Sequence, residues 1–219
     1  DGKNVKPIQP GTMKECRQFI EDYSGVSGTR VYGFERYLYQ FIAEQYPNDI
    51  EYDIDKIKLW SLDIETASEN GFPKPEEAKE EILLITLKNF KTKRLITFGS
   101  RPYTPTRDDV EYIYCETETS LLKTFLAWWN DVQPEVITGW NCEYFDIPFI
   151  CNRIRNLMGI NAMREMSPWK MTSEKWTEKF GKKQLTFDIA GVSVIDYLDI
   201  YKKFTFVNQE SYRLDYIAE

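Results

Sequence analysis

The N-terminal part of the chain shows the period of amphipathic helices. Thr12 to Glu15 reads T-x-x-E, the capping-box signature of a helix start, and an apolar run follows it as far as Ser24. Apolar residues then recur every three or four positions from Phe34 to Gln45, which predicts a second helix. The pattern predicts a small, mainly helical segment over residues 1–57.

Beyond residue 57 the pattern changes to that of strands. A strand is predicted from Ile57 to Ile64, and its two-residue period places Ser61 and Asp63 on one face and Leu62 and Ile64 on the other. Apolar runs bounded by turn residues predict further strands at 82–87, 94–98, 112–115 and 135–138.

Helices separate the later strands. An apolar stripe over Glu118 to Val132 predicts one helix, and Pro148 suits the first turn of another. Met171 to Thr186 alternates Lys and Glu, which predicts a β-hairpin or a mobile loop, while Ser193 to Phe206 predicts a helix or a helix plus a strand. This order of elements favours an α/β (α+β) fold in which helices pack on a mixed sheet.

Composition narrows the class of protein. The chain has 219 residues, of which 42% are apolar, so it can build a substantial core. It has no apolar run near the roughly 20 residues that a membrane span needs, so no membrane partner is expected. The four cysteines are scattered and form no C-x-x-C pair, which indicates neither a zinc site nor a disulfide framework and favours a reducing cytosol.

The charged residues restrict the possible chemistry. No histidine occurs, which excludes histidine metal ligands, histidine bases and Ser-His or Cys-His nucleophile systems. The net charge of −7 argues against a protein that coats duplex DNA electrostatically, although a nuclease site built of carboxylates is itself acidic. Catalysis would have to use carboxylates, Lys, Tyr, Cys or metal ions.

Two carboxylates lie at the end of the first predicted strand. Asp63 and Glu65 share a strand face, with Cα atoms roughly 6–7 Å apart. Carboxylates that close to each other are costly to bury unless a cation or hydrogen-bond donors compensate. The pair therefore predicts either a metal site or an ordinary solvated strand end.

A second group of polar and aromatic residues precedes Pro148. Asp146 lies at the predicted helix start, where it either interacts with the positive helix end or supplies a third carboxylate to the site. Asn141 could donate a hydrogen bond to a substrate, and Phe145 could pack beneath a base or fill the core. A site with oxygen ligands and no histidine suits hard cations such as Mg²⁺. Two such cations bound about 3.5–4 Å apart can activate water to hydrolyse a phosphodiester.

These motifs resemble those of a known family. The D-I-E of residues 63–65, followed by T-G-W at 138–140 and N-x-x-x-F-D at 141–146, is similar to the first two exonuclease motifs of family B DNA polymerases. The segments 137–141 and 194–204 resemble the replicative polymerases of T-even-type bacteriophages in particular.

The resemblance implies a ribonuclease-H-like fold and 3′→5′ proofreading with Mg²⁺ or Mn²⁺. By that resemblance Asp63 bridges two metal ions, Glu65 completes the site that activates water, and Asp146 holds the second metal ion. Phe72 matches an aromatic residue that stacks on the frayed strand, and Lys183 lies near a family arginine that contacts DNA. Asn141 and Phe145, which belong to the second motif, complete the predicted DNA-binding residues.

The resemblance also implies an organisation and partners. Residues 1–57 match part of the polymerase N-terminal domain, residues 58–219 match the exonuclease domain, and 171–187 match a hairpin that helps to part primer from template. The implied partners are the single-stranded 3′ end of a primer, template DNA, the rest of the polymerase and its sliding clamp. The implied location is the cytoplasm of an infected bacterial host.

One departure from the family pattern concerns its third motif, Y-x-x-x-D. Tyr212 and Asp215 form only Y-x-x-D, in a segment that matches a different family stretch. The chain is therefore expected to be a fragment, cut from a longer protein before that motif, with reduced or no exonuclease activity. The alternative is a catalytically inert module that binds single-stranded nucleic acid. A free-standing repair or RNA-processing exonuclease is disfavoured by the missing histidine and by the helical segment at 1–57.

Overall fold

The computed structural model describes residues 4–33, 37–49, 51–69, 71–179, 181–207 and 209–218, without the side chains of 37, 38, 179 and 182. The chain forms two compact units, Asp1–Tyr52 and Asp53–Glu219. The predicted helix start at Phe34 lies outside the described residues. Among the residues that are described, no helix is long and apolar enough to span a membrane.

The first unit contains the helices α1 (Met13–Tyr23) and α2 (Tyr37–Gln45). The predicted capping box is confirmed at α1. The Thr12 hydroxyl accepts from the Glu15 amide at 3.4 Å, and the Glu15 carboxylate accepts from the Thr12 amide at 2.7 Å. Each side chain satisfies a backbone donor that the first helical turn leaves unpaired, which fixes where the helix begins.

The second unit is built on a six-stranded mixed sheet. Its strands are β1 (Leu59–Thr66), β2 (Ile82–Asn89), β3 (Leu95–Gly99), β4 (Val110–Tyr114), β5 (Val136–Gly139) and β8 (Ser193–Asp196). They lie in the order β4-β3-β2-β1-β5-β8. Strand β2 runs antiparallel to both of its neighbours, and the other adjacent pairs are parallel.

Helices and a separate hairpin complete the second unit. The predicted hairpin is present as β6 (Thr172–Lys179) paired with β7 (Lys182–Ile189). The predicted segment 193–206 divides into β8 and a helix. The helices are α3 (Glu118–Val132), α4 (Asp146–Met158), α5 (Ile160–Arg164), α6 (Tyr197–Phe204) and α7 (Leu214–Ile217), and a 3₁₀ turn (Ile54–Lys56) precedes β1. The predicted mixed sheet with flanking helices is confirmed, in keeping with a ribonuclease-H-like fold.

The core lies between the sheet and the helices α3 and α4. Leu62 and Ile64 of β1 are buried there together with Phe125 of α3 and Phe149 of α4. Side chains alternate along a strand, so Asp63, between Leu62 and Ile64, faces away from this core and remains exposed. Burial of one face of β1 therefore fixes which face presents the carboxylates.

The last residue of β5 is packed too closely to carry a side chain. A Cβ atom on Gly139 would lie 2.5 Å from the carbonyl oxygen of Leu62 and 2.8 Å from Cβ of Cys142. One of these neighbours is strand backbone, which cannot move without disturbing β1. Gly139 therefore lets the chain leave β5 directly beside β1.

We expect the substitution Gly139→Ala to destabilise the protein by about 1–3 kcal/mol, because the added methyl overpacks a site with no free space. The free energy of unfolding, measured by urea denaturation, checks this. Ser61→Ala is the control, since Ser61 is exposed on β1, and it should change stability by less than about 0.5 kcal/mol. Equal stability of the two variants would contradict the close approach.

Candidate active site

Strand β1 extends beyond the end of its neighbour β5. The parallel pairing of the two strands runs from Leu59 with Val136 to Ser61 with Thr138. The amide of Ile64 lies past the last pair and donates instead to Oδ1 of Asp146, at 3.0 Å. A carboxylate thus takes the place of a strand carbonyl at this edge of the sheet.

Asp146 reaches this position from the first residue of α4. The side chain is buried, with 4% of the residue exposed, and the helix begins without a side-chain cap on Phe145. A carboxylate in the first turn of a helix interacts favourably with the partial positive charge of the helix end. The predicted interaction with the helix end and the predicted approach to β1 are therefore compatible roles of the same side chain.

Loss of solvent and neighbouring negative charges raise the pKa values of two carboxyl groups at this edge, Asp146 and Asp63. Burial, followed by repulsion from Asp63, raises the pKa of Asp146 to about 7, although the Ile64 amide opposes the shift. Partial loss of solvent around the otherwise exposed Asp63, and then the charge of Glu65, raise the pKa of Asp63 above its ordinary value. The charge of Asp63 thus acts on Asp146 and that of Glu65 on Asp63, and the metal-ligand roles of these residues stay predictions.

The donor chemistry of this cluster fits a hard divalent cation. Asp63 and Asp146 offer carboxylate oxygens whose mutual repulsion a cation would relieve, and such oxygens are the ligands that Mg²⁺ and Mn²⁺ prefer. Within the described part of the chain, however, no three His, Cys, Asp or Glu side chains are gathered closely enough to hold a metal ion. The structure shows the Asp146 carboxylate bound to the amide next to Asp63 and repelled by its charge, and the ligand roles of Asp63, Glu65 and Asp146 stay predictions.

Aromatic rings lie beside the carboxylates. The ring of Phe145 is 5.5 Å from that of Phe72 and 5.7 Å from that of Phe149, between ring centroids. Phe149 is fully buried, Phe145 is half-buried, and Phe72 is 83% exposed. The three rings form a row from the core to the surface that ends in an uncovered aromatic face, which is suited to stacking on a base.

The segment that carries Phe72 is tied to α4 by contacts that the sequence did not predict. Asn152 donates to the carbonyl of Pro75 at 2.8 Å, and the Arg153 guanidinium donates to the carbonyl of Ala78 at 3.2 Å. Arg153 also forms a largely buried ion pair with Glu118 at 2.6 Å. These contacts join residues far apart in sequence. The only indication of them in the sequence is the polar pair Asn152-Arg153 among the apolar residues of the predicted helix.

The structure leaves other predicted residues away from this cluster or without a demonstrated role. Lys183 lies on β7, opposite Glu178, in the separate two-stranded sheet. Asn141 is half-buried in the turn after β5 and has a φ of +63°, a left-handed conformation that asparagine tolerates. Cys142, next to it, is buried, and burial followed by the charges of Asp196 and Asp146 raises the pKa of its thiol, so a thiolate nucleophile is disfavoured.

Known proteins with similar sequences are DNA polymerases. Residues 26–217 match the model of the family described as DNA polymerase family B, exonuclease domain. The chain is 33% identical to the DNA-directed DNA polymerase of Escherichia phage RB69, over 94% of this chain and 26% of that protein. It is 29% identical to the DNA-directed DNA polymerase of Enterobacteria phage T4, over 100% of this chain and 27% of that protein. The chain thus spans about a quarter of the length of these two relatives.

We expect Asp146→Asn to stabilise the metal-free protein at pH 8, by about 1–3 kcal/mol, and to have a smaller effect at pH 5. Folding raises the pKa of Asp146 from 3.8 to about 7, so the folded state holds the proton more tightly and loses stability as the pH rises from about 4 to about 7. Asparagine keeps an oxygen for the Ile64 amide but cannot ionise.

Thermal unfolding in the presence of a chelator, at both pH values, measures this difference. Asp108→Asn removes a charge from an exposed turn and is the matched control, with no pH-dependent gain expected. A melting temperature of Asp146→Asn equal to that of the wild type at pH 8 would show that Asp146 is not held against Asp63.

Proposed function

This chain belongs to the exonuclease-domain family of family B DNA polymerases, and we propose that it performs 3′→5′ proofreading for a phage replicative polymerase. The observation that carries the proposal is the hydrogen bond from the Ile64 amide to Asp146, which brings this carboxylate next to Asp63 at the edge of the sheet where β1 extends beyond β5. Ligands of α/β proteins commonly bind at such an edge, outside the carboxyl ends of parallel strands.

The proposed reaction is hydrolysis of the 3′-terminal phosphodiester. Water attacks the phosphorus, the bond to the 3′ oxygen of the penultimate nucleotide breaks, and a nucleoside 5′-monophosphate leaves. Asp63, Glu65 and Asp146 would hold Mg²⁺ or Mn²⁺. A bound pair of such ions supplies activation of the attacking water and stabilisation of the charge that develops on the leaving oxygen.

The protein's own contribution is to fix the ligands and the strand end. The Ile64 amide orients the Asp146 carboxylate, and β1 keeps Asp63 and Glu65 on one face. We propose that Phe72 and Phe145 stack on the frayed terminal base, a contact typically worth about 1–3 kcal/mol per base. Asn141 would donate a hydrogen bond to the substrate, and Lys183 would contact a backbone phosphate.

The wider assignments follow from the phage relatives. We propose template DNA, the remainder of a polymerase and its sliding clamp as partners, with action inside the infected bacterial host. Residues 1–57 would belong to the polymerase N-terminal domain, and 58–219 to the exonuclease domain. The helical unit Asp1–Tyr52 is compact by itself, which supports a boundary close to residue 57.

We expect Asp63→Ala and Asp146→Ala each to abolish release of nucleotides from 3′-labelled single-stranded DNA with Mn²⁺, a loss of at least about a thousandfold. Asp108→Ala, in an exposed turn, should keep full activity and controls for charge and handling. Survival of either site variant would refute the site. DNA binding that does not depend on Asp63, without hydrolysis by the wild type, would instead support the inert binding module.

We also propose that a polypeptide of these 219 residues hydrolyses DNA only weakly. In the described residues Asp63 and Asp196 are the acids whose charges act on Asp146, and the Asp196 carboxylate is engaged by backbone amides. Few carboxylates near Asp146 are therefore available as ligands for two metal ions. Turnover should rise at least about tenfold in a longer polypeptide that includes a Y-x-x-x-D motif, and equal turnover of the two polypeptides would contradict the proposal.

A further inference from the structure

We propose that Asp196 is a positioning residue for the exonuclease site, because its carboxylate anchors the turn that joins β5 to α4. This turn, residues 140–145, delivers Asp146 to the edge of the sheet. The inference rests on the proposed function for its catalytic consequence, whereas the anchoring itself is independent of any reaction.

Asp196 lies at the same edge of the sheet as the carboxylate cluster. It is the last residue of β8, and the parallel pairing with β5 places it opposite Gly139, the last residue of that strand. Strands β1, β5 and β8 run in the same direction. The carboxyl ends of β5 and β8 therefore meet beside the stretch of β1 that carries Asp63.

Three backbone amides converge on the Asp196 carboxylate. Oδ1 accepts from the amide of Asn141 at 3.0 Å and from the amide of Leu198 at 2.9 Å, and Oδ2 accepts from the amide of Glu143 at 3.0 Å. Only 4% of the residue is exposed. Hydrogen bonds from backbone amides to a carboxylate are among the strong ones, and they compensate the cost of burying its polar oxygens.

Capping of α6 explains only part of this arrangement. The bond to Leu198 is an ordinary N-cap contact, for which a single side-chain oxygen of Ser or Thr is sufficient. The bonds to Asn141 and Glu143 cross to a different element, more than 50 positions away in sequence. The bond from Glu143 requires the second oxygen of a carboxylate, which a hydroxyl side chain does not have.

Hydrogen bonds connect the turn that Asp196 anchors to the first residues of α4, where Asp146 lies. The carbonyl of Asn141 accepts from the amide of Phe145 at 3.0 Å, and the carbonyl of Cys142 accepts from the amide of Ile147 at 3.0 Å. Fixing the backbone at Asn141 thus fixes the start of α4, where the Asp146 side chain leaves the helix. The anchor also holds Asn141 in its left-handed conformation, which costs free energy in a non-glycine residue.

Three substitutions at Asp196 separate anchoring from capping. Asp196→Ala removes both acceptor oxygens and with them all three hydrogen bonds. Asp196→Ser leaves one oxygen, on a side chain one bond shorter, which can cap Leu198 but does not reach the turn 140–145. Asp196→Asn keeps Oδ1 but turns an N–H group toward the amide of Glu143. Thr117→Ala is the matched control, since Thr117 caps α3 through Ser120 and has no bond to the turn 140–145. It accounts for the stability lost with any helix cap.

The first measurement is hydrogen exchange at the amides of Asn141 and Glu143, corrected for global stability. We expect exchange to accelerate at least about tenfold in Asp196→Ala and Asp196→Ser but not in Thr117→Ala. In Asp196→Asn the acceleration should be confined to Glu143. The second measurement is Mn²⁺ affinity, which should fall about tenfold in Asp196→Ala and stay unchanged in Thr117→Ala. In the exonuclease assay kcat should fall and KM should change little.

The outcomes distinguish this inference from the proposed function. Asp196 would be only a helix cap if hydrogen exchange and Mn²⁺ affinity in Asp196→Ala matched those of Thr117→Ala. Full recovery of both properties in Asp196→Ser would lead to the same conclusion. A wild-type protein that binds Mn²⁺ no better than Asp63→Ala would overturn the proposed function. In that case the exchange rates at Asn141 and Glu143 still decide whether Asp196 anchors the turn.

Discussion

The amide of Ile64 is the constraint on which the candidate site depends. It belongs to a strand that continues after its parallel neighbour has ended, so its hydrogen-bond partner must come from outside the sheet. The partner is the Asp146 carboxylate, at 3.0 Å. A buried amide without an acceptor costs a few kcal/mol at most, so the fold gains by bringing a carboxylate here. That carboxylate then lies beside Asp63, and the electrostatics of the site follow from this position.

The position of Asp146 satisfies the Ile64 amide but destabilises the ionised form of the Asp146 carboxyl group. The Ile64 amide favours the ionised form of Asp146, but burial and the charge of Asp63 oppose it more strongly and raise its pKa to about 7. Groups that are perturbed in this way concentrate at functional sites, where stability is exchanged for chemistry. The charge of Glu65 contributes to the raised pKa of Asp63 in the same way. A divalent cation would convert the same repulsion into a favourable interaction.

Much of the fold follows from local sequence pattern. The T-x-x-E of Thr12, the stripe of α3 and the alternation around Asp63 depend on neighbours within a few positions, and each prediction is confirmed. The resemblance to family B polymerases is likewise confirmed. The hairpin 172–189 remained ambiguous because alternating Lys and Glu is also typical of a solvated loop. Contacts between distant elements, such as Arg153 with Glu118, leave no periodic signal, so they could not be predicted.

The anchoring role of Asp196 could not be predicted from the sequence. In sequence Asp196 is only an acidic residue within the segment 193–206, and its role as the N-cap of α6 is seen in the structure alone. Its bonds to Asn141 and Glu143 exist because β5 and β8 end side by side, and this is a property of sheet order. Asp63 and Glu65 are fixed by a strand that is paired with β2 from Trp60 to Thr66, whereas Asp146 lies after a short turn. Precise placement of the third carboxylate therefore depends on what holds that turn, and the residue that does so need not contact metal or DNA.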